Sequence, residues 1–239
     1  MNQALSGFVQ SLTPPLVWDL YMRARGLGDR HPWRQFRLMM TSANPQPLFG
    51  GRFGAIYDKY QSLDPLVSAD ATRYVDYNVC FFADQCREIP GDFVCAGVSW
   101  GVAPRAVFDF VDLPSLGETL HLVDPLDGRT SRRNTKKSEH YNCNAEYVLR
   151  QYPPDAPIKL HRLPIPIRLG CPIAFVFTNT GDPEAEAEAL PIFYETLSPG
   201  GIIITNQYAN NPHYFEPVVK SLGIAPLWLP SGQGVFFKR

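Results

Sequence analysis

The sequence predicts an α/β protein: an open sheet with helices on its faces and a nucleotide-type cofactor crevice at the ends of its strands. Three observations carry this. The first is Gly91-Asp-Phe-Val-Cys-Ala-Gly-Val-Ser-Trp-Gly101, in which a short apolar run, 93–96, breaks into a glycine-containing turn. An apolar, helix-compatible segment follows at 102–111, with Pro104 where a first helical turn tolerates it. Strand, glycine turn, helix is the arrangement that brings backbone N–H groups and a helix N-terminus against a ligand. The second is His121-Leu-Val-Asp124, which reads as a buried strand ending in an acid. The third is a pair of further apolar runs, Ile173-Ala-Phe-Val-Phe-Thr178 and, entered by a turn, Ser198-Pro-Gly-Gly-Ile-Ile-Ile-Thr205. Ligands of open α/β sheets bind beyond the carboxyl ends of such strands.

The remaining elements follow from periodicity and punctuation. Residues 15–25 are amphipathic at helical spacing, with Leu16, Leu20 and Met22 on one side and Arg23 and Arg25 on the other. Residues 44–51 read as a loop and 53–60 as a short helix. Tyr74, Val75, Asn78, Val79 and Phe82 predict a helix over 72–87, closed by Pro90-Gly91. After the glycine turn and its helix come a strand at 119–123 and a polar stretch, 127–142. That stretch carries Arg129, Arg132, Arg133, Lys136, Lys137 and His140. A helix is expected over 141–152 and strands at 158–161 and 173–178. The next helix, 183–196, has Pro at its start and acids early, as the helix dipole prefers. A strand at 202–205, a helix at 214–222 ended by Gly223, and strands at 225–229 and 234–238 complete the chain. No internal repeat is present. Residues 1–71 read as an N-terminal helical cap or oligomerisation arm and 72–239 as the main domain. The aromatic and Arg-rich arm suggests self-association.

Composition excludes several function classes. The chain has 239 residues, enough for one substantial core. Its net charge is −1 and its pI about 6.5, which argues against nucleic acid as the partner. The five cysteines, Cys80, Cys86, Cys95, Cys143 and Cys171, form no CxxC pair and are odd in number. They read as reduced thiols of a cytoplasmic protein. No apolar run is long enough to span a membrane, and the first residues lack the pattern of a signal peptide. A membrane-surface role for the basic helix at 15–25 is disfavoured by its short apolar face.

The order of strands and helices, with a terminal strand pair, resembles a class I S-adenosylmethionine-dependent methyltransferase. More narrowly, it resembles the TylF (macrocin O-methyltransferase) family, which methylates sugar hydroxyls on natural products. The matching residues are Pro90-Gly-Asp-Phe-Val, Gly97-Val and Gly101, then Leu122-Val-Asp124-Pro-Leu-Asp-Gly128. Leu197-Ser-Pro-Gly-Gly-Ile-Ile-Ile204 and Gly232-Gln-Gly-Val235 follow. The resemblance spans roughly 72–239. It implies a Rossmann-like, mostly parallel sheet with an antiparallel last strand, helices on both faces, and S-adenosylmethionine as cofactor.

The chain departs from that family where the family holds a divalent metal. Cys95 stands where an acid precedes the glycine turn. Asn179 and Gly181 stand at the D-x-D after the fourth strand, and Asn206-Gln207 at the Asp-Asp after the fifth. A hard cation wants several carboxylate oxygens, so no metal is expected in this mechanism. Cofactor contacts are assigned to Gly97, Val98, Ser99, Gly101, Asp124 and Asn179, with Asp124 for the ribose hydroxyls. The glycines alternatively permit tight packing, Ser99 caps the following helix, and Asp124 serves a turn before Pro125. Candidate bases are Asp182, alternatively the N-cap of the helix from Pro183, and His140, alternatively a solvated loop residue. Cys95 reads as a small buried residue. The basic stretch, otherwise a solvated loop, would suit an anionic acceptor such as a phosphorylated or nucleotide-linked sugar. His161 and His213 receive no role.

Three functions compete. The first is metal-independent O-methylation of a small molecule or sugar-containing natural product, in which proximity and a base suffice. The second is a family-derived protein that has lost methyl transfer and acts as a binding or scaffold subunit. The third, a nicotinamide-dependent oxidoreductase, is disfavoured because the turn reads G-x-x-x-G rather than G-x-G-x-x-G.

Overall fold

The structure, a computed structural model, describes residues 46–64, 69–127 and 144–239. The expected helix at 15–25, the basic stretch from Arg129 to Lys137, and His140 lie outside the described residues. The described residues fall in one compact unit, Pro45–Arg239.

Helices α1 (Gln46–Phe49), α2 (Gly51–Tyr60) and α3 (Ala69–Asp84) precede β1 (Asp92–Ala96). Then follow α4 (Val102–Val111), α5 (Leu113–Leu116), β2 (Leu120–Val123), α6 (Ala145–Leu149), β3 (Ile158–His161) and β4 (Ile173–Thr178). The chain closes with α7 (Pro183–Thr196), β5 (Leu197–Thr205), α8 (Pro212–Leu222), β6 (Leu227–Trp228) and β7 (Gly234–Phe237). The strands form one sheet in the order β3-β2-β1-β4-β5-β7-β6. Strands β1 to β5 pair in parallel, and β7 runs antiparallel to both β5 and β6. This is the expected Rossmann-like sheet with an antiparallel terminal strand.

A mostly parallel sheet must be covered on both faces, which is why its strands are nearly continuous apolar runs. All six residues of β4 are buried. Side chains alternate across β1: Phe93 and Cys95 join one core, Val94 and Ala96 the other. The first core takes Phe53 and Tyr57 from α2, Val79, Cys80 and Ala83 from α3, and Val107 and Val111 from α4. The second takes Ala189, Leu190 and Phe193 from α7, and Phe215 and Val219 from α8. Between β3 and β4 no helix forms. Residues 162–172 instead run across the second face, with Ile165 buried in that core.

Several boundaries differ from expectation for local reasons. The 44–51 loop contains a single helical turn, α1. Helix α3 starts three residues early and ends at Asp84, where Cys86 N and Arg87 N turn back to Ala83 O and Asp84 O. Strand β5 begins at Leu197 rather than 202, because Gly200 N and Gly201 O pair with Lys238. Helix α6 covers only Ala145–Leu149, started by an Asn144 side-chain cap on Glu146 N. Strand β6 is two exposed residues.

Candidate functional site

The turn after β1 is built by backbone contacts. Gly97 N donates to Val123 O at 2.9 Å, and Asn179 N donates to Ala96 O at 2.8 Å. Gly97 has φ +86°, and an added Cβ would lie 2.1 Å from Asn179 O. Only glycine allows the ends of β1 and β4 to approach this closely. Gly101, at φ +91°, is the N-cap of α4, with no side-chain cap. A Cβ there would meet Gln151 Oε1 at 2.5 Å, while Gln151 Nε2 holds Trp100 O at 3.0 Å. Both glycines therefore serve the packing of the turn itself. Ser99 is left-handed, φ 51°, and is not the helix cap.

Asp124 follows β2 and is buried. Its Oδ2 accepts from Val98 N at 2.8 Å and Ser99 N at 3.2 Å, and its Oδ1 accepts from Leu126 N at 2.8 Å. Burial raises its pKa, and the three N–H bonds partly offset this. Asp124 thus clamps the glycine turn to the end of β2, with one of its roughly four acceptor positions left over.

On the other flank of the turn lies a cleft. Its lining includes Gly97, Val98, Ser99, Trp100 and Asn179, joined by Tyr57, Asp64, Thr72 and Asp76 from the helical segment. No described lining residue is Lys, Arg or His, while two are carboxylates. Asp76 is 6% exposed. Burial, with a smaller contribution from the Asp64 charge, pushes it up to about 7, although Tyr57 and Thr72 hydrogen-bond to it. Tyr57 OH and Thr72 Oγ1 are 2.8 Å apart, and burial also raises the Tyr57 phenol. Helix α2 is held over the cleft by two buried arginines. Arg73 bridges to Asp58 at 2.6 Å and to Leu48 O at 3.1 Å, and Arg105 reaches Asp109 at 2.6 Å and Tyr60 OH at 2.9 Å. The arrangement favours a cation: an ammonium or sulfonium entering the cleft would restore charge to Asp76.

The ends of β4 and β5 carry neutral amides where the resembled family has acids. Asn206 Nδ2 donates to Asn179 Oδ1 at 3.2 Å, and Gln207 Oε1 accepts from Asn211 at 3.3 Å. Asp182 is the N-cap of α7, its Oδ1 accepting from Glu184 N and Ala185 N, both at 3.1 Å. Of its two expected roles, the structure realises the cap. Behind these ends lies Glu186, 1% exposed. Its Oε2 accepts from Thr178 Oγ1 at 2.8 Å and Thr205 Oγ1 at 2.7 Å, and its Oε1 from Thr180 N at 2.7 Å and Thr180 Oγ1 at 3.0 Å. Four donors satisfy the carboxylate and lock β4, β5 and the intervening turn together. Cys95 is buried with its thiol pushed up by desolvation, the state of an inert core residue.

The structure thus gathers Gly97, Val98, Ser99, Asp124 and Asn179 around one turn. Asp76, Tyr57 and Glu186 were missed by the sequence reading. Asp76 and Glu186 each lie on the apolar face of their helix, three and four residues from buried neighbours, and that spacing was the available signal.

No family model matches the chain, and no curated protein matches it. Solved structures do. The O-methyltransferase NovP shares 16% identity and a TM-score of 0.56, over 69% of this chain and 79% of that one. An S-adenosylhomocysteine-bound methyltransferase from Podospora anserina, PaMTH1, shares 14% identity and a TM-score of 0.50, over 84% and 91%. Cofactor-bound Rv0187 from MTB shares 12% and 0.50, over 87% and 97%. At these identities the likeness is one of fold, and the fold is that of class I methyltransferases.

Proposed function

We propose that this chain is an S-adenosylmethionine-dependent methyltransferase that acts on a hydroxyl of a small, sugar-containing molecule without a metal at the β4 and β5 ends. The observation that carries the reading is the acidic cleft beside the glycine turn, with Asp76 buried in it. The residues present fit the cofactor. Asp76 would pair with its ammonium, Asp124 would offer its remaining acceptor capacity to the ribose hydroxyls, and the cleft is free of competing cations among its described lining. When bound, the cofactor supplies an electrophilic methyl on a sulfonium, which needs little covalent help.

The chain's own residues then bind, orient and accept a proton. Gly97 and Asp124 fix the turn against which the cofactor would lie. Asn179 and Asn206 offer neutral donors and acceptors to an acceptor hydroxyl, and their neutrality disfavours a hard cation there. Asp182 is engaged as a helix cap, so the proposed base is His140, whose free pKa suits proton removal near neutrality. The resemblance to the macrocin O-methyltransferase family supports a sugar-containing acceptor, and the basic stretch Arg129 to Lys137 suits an anionic one.

One observation favours the alternative of a non-catalytic binding or scaffold subunit. Val98 N, Ser99 N and most of the Asp124 carboxylate are already engaged with one another. The test is calorimetric titration with S-adenosylmethionine and S-adenosylhomocysteine, with and without magnesium. Binding that ignores magnesium supports the methyltransferase and opens an acceptor screen. Absence of binding by either compound overturns it in favour of the scaffold.

A further inference from the structure

Outside the residues that line the cleft, four side chains from four segments converge on the second face of the sheet. Asp92 opens β1, His121 lies in β2, His161 ends β3, and Cys171 closes the 162–172 connection that crosses this face. His121 Nε2 lies 2.8 Å from Asp92 Oδ2 and 3.8 Å from Cys171 Sγ. The three ligand atoms all lie within 4.8 Å of one another. We propose that Asp92, His121 and Cys171 form a binding site for a divalent transition-metal ion, with Zn(II) the best match to one carboxylate, one imidazole and one thiolate.

Geometry and chemistry support this assignment. Zn–N and Zn–O bonds of about 2.0–2.2 Å and a Zn–S bond of about 2.3 Å imply tetrahedral N–S separations of roughly 3.6 Å and N–O separations of roughly 3.3 Å. The N–S spacing is already near that value, and the N–O pair need open by only about half an ångström. Calcium and magnesium prefer an all-oxygen set. The outer partners are those a metal site requires. Thr119 N donates to Asp92 Oδ1 at 2.9 Å, leaving Oδ2 for the ion. His121 Nδ1 lies 2.8 Å from His161 Nε2, with the two rings stacked 5.1 Å apart. A ligated His121 would hand its Nδ1–H to that neighbour. The Asp92 side chain retains 19% exposure, so water can complete the fourth position.

A Cys–His–Asp proton relay does not fit. Such a relay places thiol and carboxylate on opposite ring nitrogens, whereas here both meet Nε2. The ion would fasten β1, β2 and the β3–β4 connection, with β3 joined through His161. The nearest of the three ligands to the Gly97 turn, His121, pairs with Val94, three strand residues or roughly 10 Å from Gly97, and none of the three lines the cleft, so the proposal does not rest on the methyltransferase reading.

The test uses the full chain, stripped with a chelator and titrated with Co(II) alone. One equivalent should bind with a near-ultraviolet thiolate-to-cobalt charge-transfer band that Zn(II) abolishes by displacement. Cys171→Ser should remove the band and weaken Zn(II) binding at least about tenfold, while Cys143→Ser keeps both. Asp92→Asn, a second variant should Cys171→Ser fold poorly, should keep the band but weaken binding similarly. Absence of Co(II) binding, a band that survives Cys171→Ser, or unchanged affinity in Asp92→Asn overturns the site.

Discussion

Replacing Asp76 with Asn separates a cofactor-binding carboxylate from an inert buried one. Burial lifts Asp76 from 3.8 to about 7, and each pKa unit is worth about 1.4 kcal/mol. The raised folded value sets the sign: the unfolded chain releases its proton first. The stability Asp76 contributes is therefore full below about pH 4, declines as pH rises, and levels off once the folded carboxyl ionises near pH 7. Between pH 5 and pH 8 the wild-type protein should lose about 3 kcal/mol relative to Asp76→Asn, two units' worth of that shift. Urea unfolding of both proteins at the two pH values reads this directly. The same substitution should weaken S-adenosylhomocysteine at pH 8 by roughly 10- to 100-fold, since hydrogen bonds to charged groups contribute about 1.5–3 kcal/mol. Wild-type affinity should also rise from pH 5.5 to pH 8 as the carboxyl ionises. Equal affinity in the two proteins at pH 8 would refute Asp76 as the cation partner. A stability difference that does not change with pH would refute the buried, proton-holding carboxyl.

Other substitutions test the frame around it. Gly97→Ala places a Cβ 2.1 Å from Asn179 O at φ +86° and should cost about 3 kcal/mol or more, read as a fall in the urea midpoint or as insoluble protein. Glu186→Gln turns an amide N–H₂ toward the threonine donors and should cost about 2–4 kcal/mol, measured by the same unfolding curves. Asp182→Ala should remove only a helix cap, about 1 kcal/mol, and leave methyl transfer to a cognate acceptor intact; a loss of turnover with binding retained would return Asp182 to the role of base.

The sheet was legible because its signals are redundant. Each central strand is a run of apolar residues bounded by glycine, proline or an acid, and Gly97, Asp124 and Gly223 punctuate it in order. Boundaries failed where pairing rather than sequence decides them. Nothing in Ser198-Pro-Gly-Gly201 announces a strand, yet Gly200 N and Gly201 O find Lys238 across the sheet. The site was half legible. The glycine turn and Asp124 were found by motif, but their first duty is to one another: Asp124 holds Val98 N and Ser99 N, and Gly97 makes room for Asn179. Motif reasoning supplies position and is silent on which partner takes a hydrogen bond. Glu186 was hidden for another reason. In Glu184-Ala-Glu-Ala-Glu-Ala189 three glutamates alternate with alanine, and only the spacing of Glu186 to Ala189, Leu190 and Phe193 singles out the one that faces inward.

The buried carboxylates Asp76 and Glu186 stand on the helices and not at the strand ends. The strand ends carry Cys95, Asn179, Asn206 and Gln207, none able to ionise as an acid near neutrality in this setting. The helices that pack on those ends carry Asp76 and Glu186, both buried. These two are not equivalent. Glu186 meets four donors, so its oxygens are complete and its role is to tie β4 to β5. Asp76 meets Tyr57 and Thr72, yet burial still holds its pKa near 7, which means that those partners do not offset desolvation. A buried acid left in that condition destabilises the free protein and favours any cation that reaches it. A purely structural carboxyl would be better replaced by an amide. The cleft thus holds the electrostatic strain in its helical wall, beside the glycine turn, where the ammonium of the proposed cofactor would relieve it.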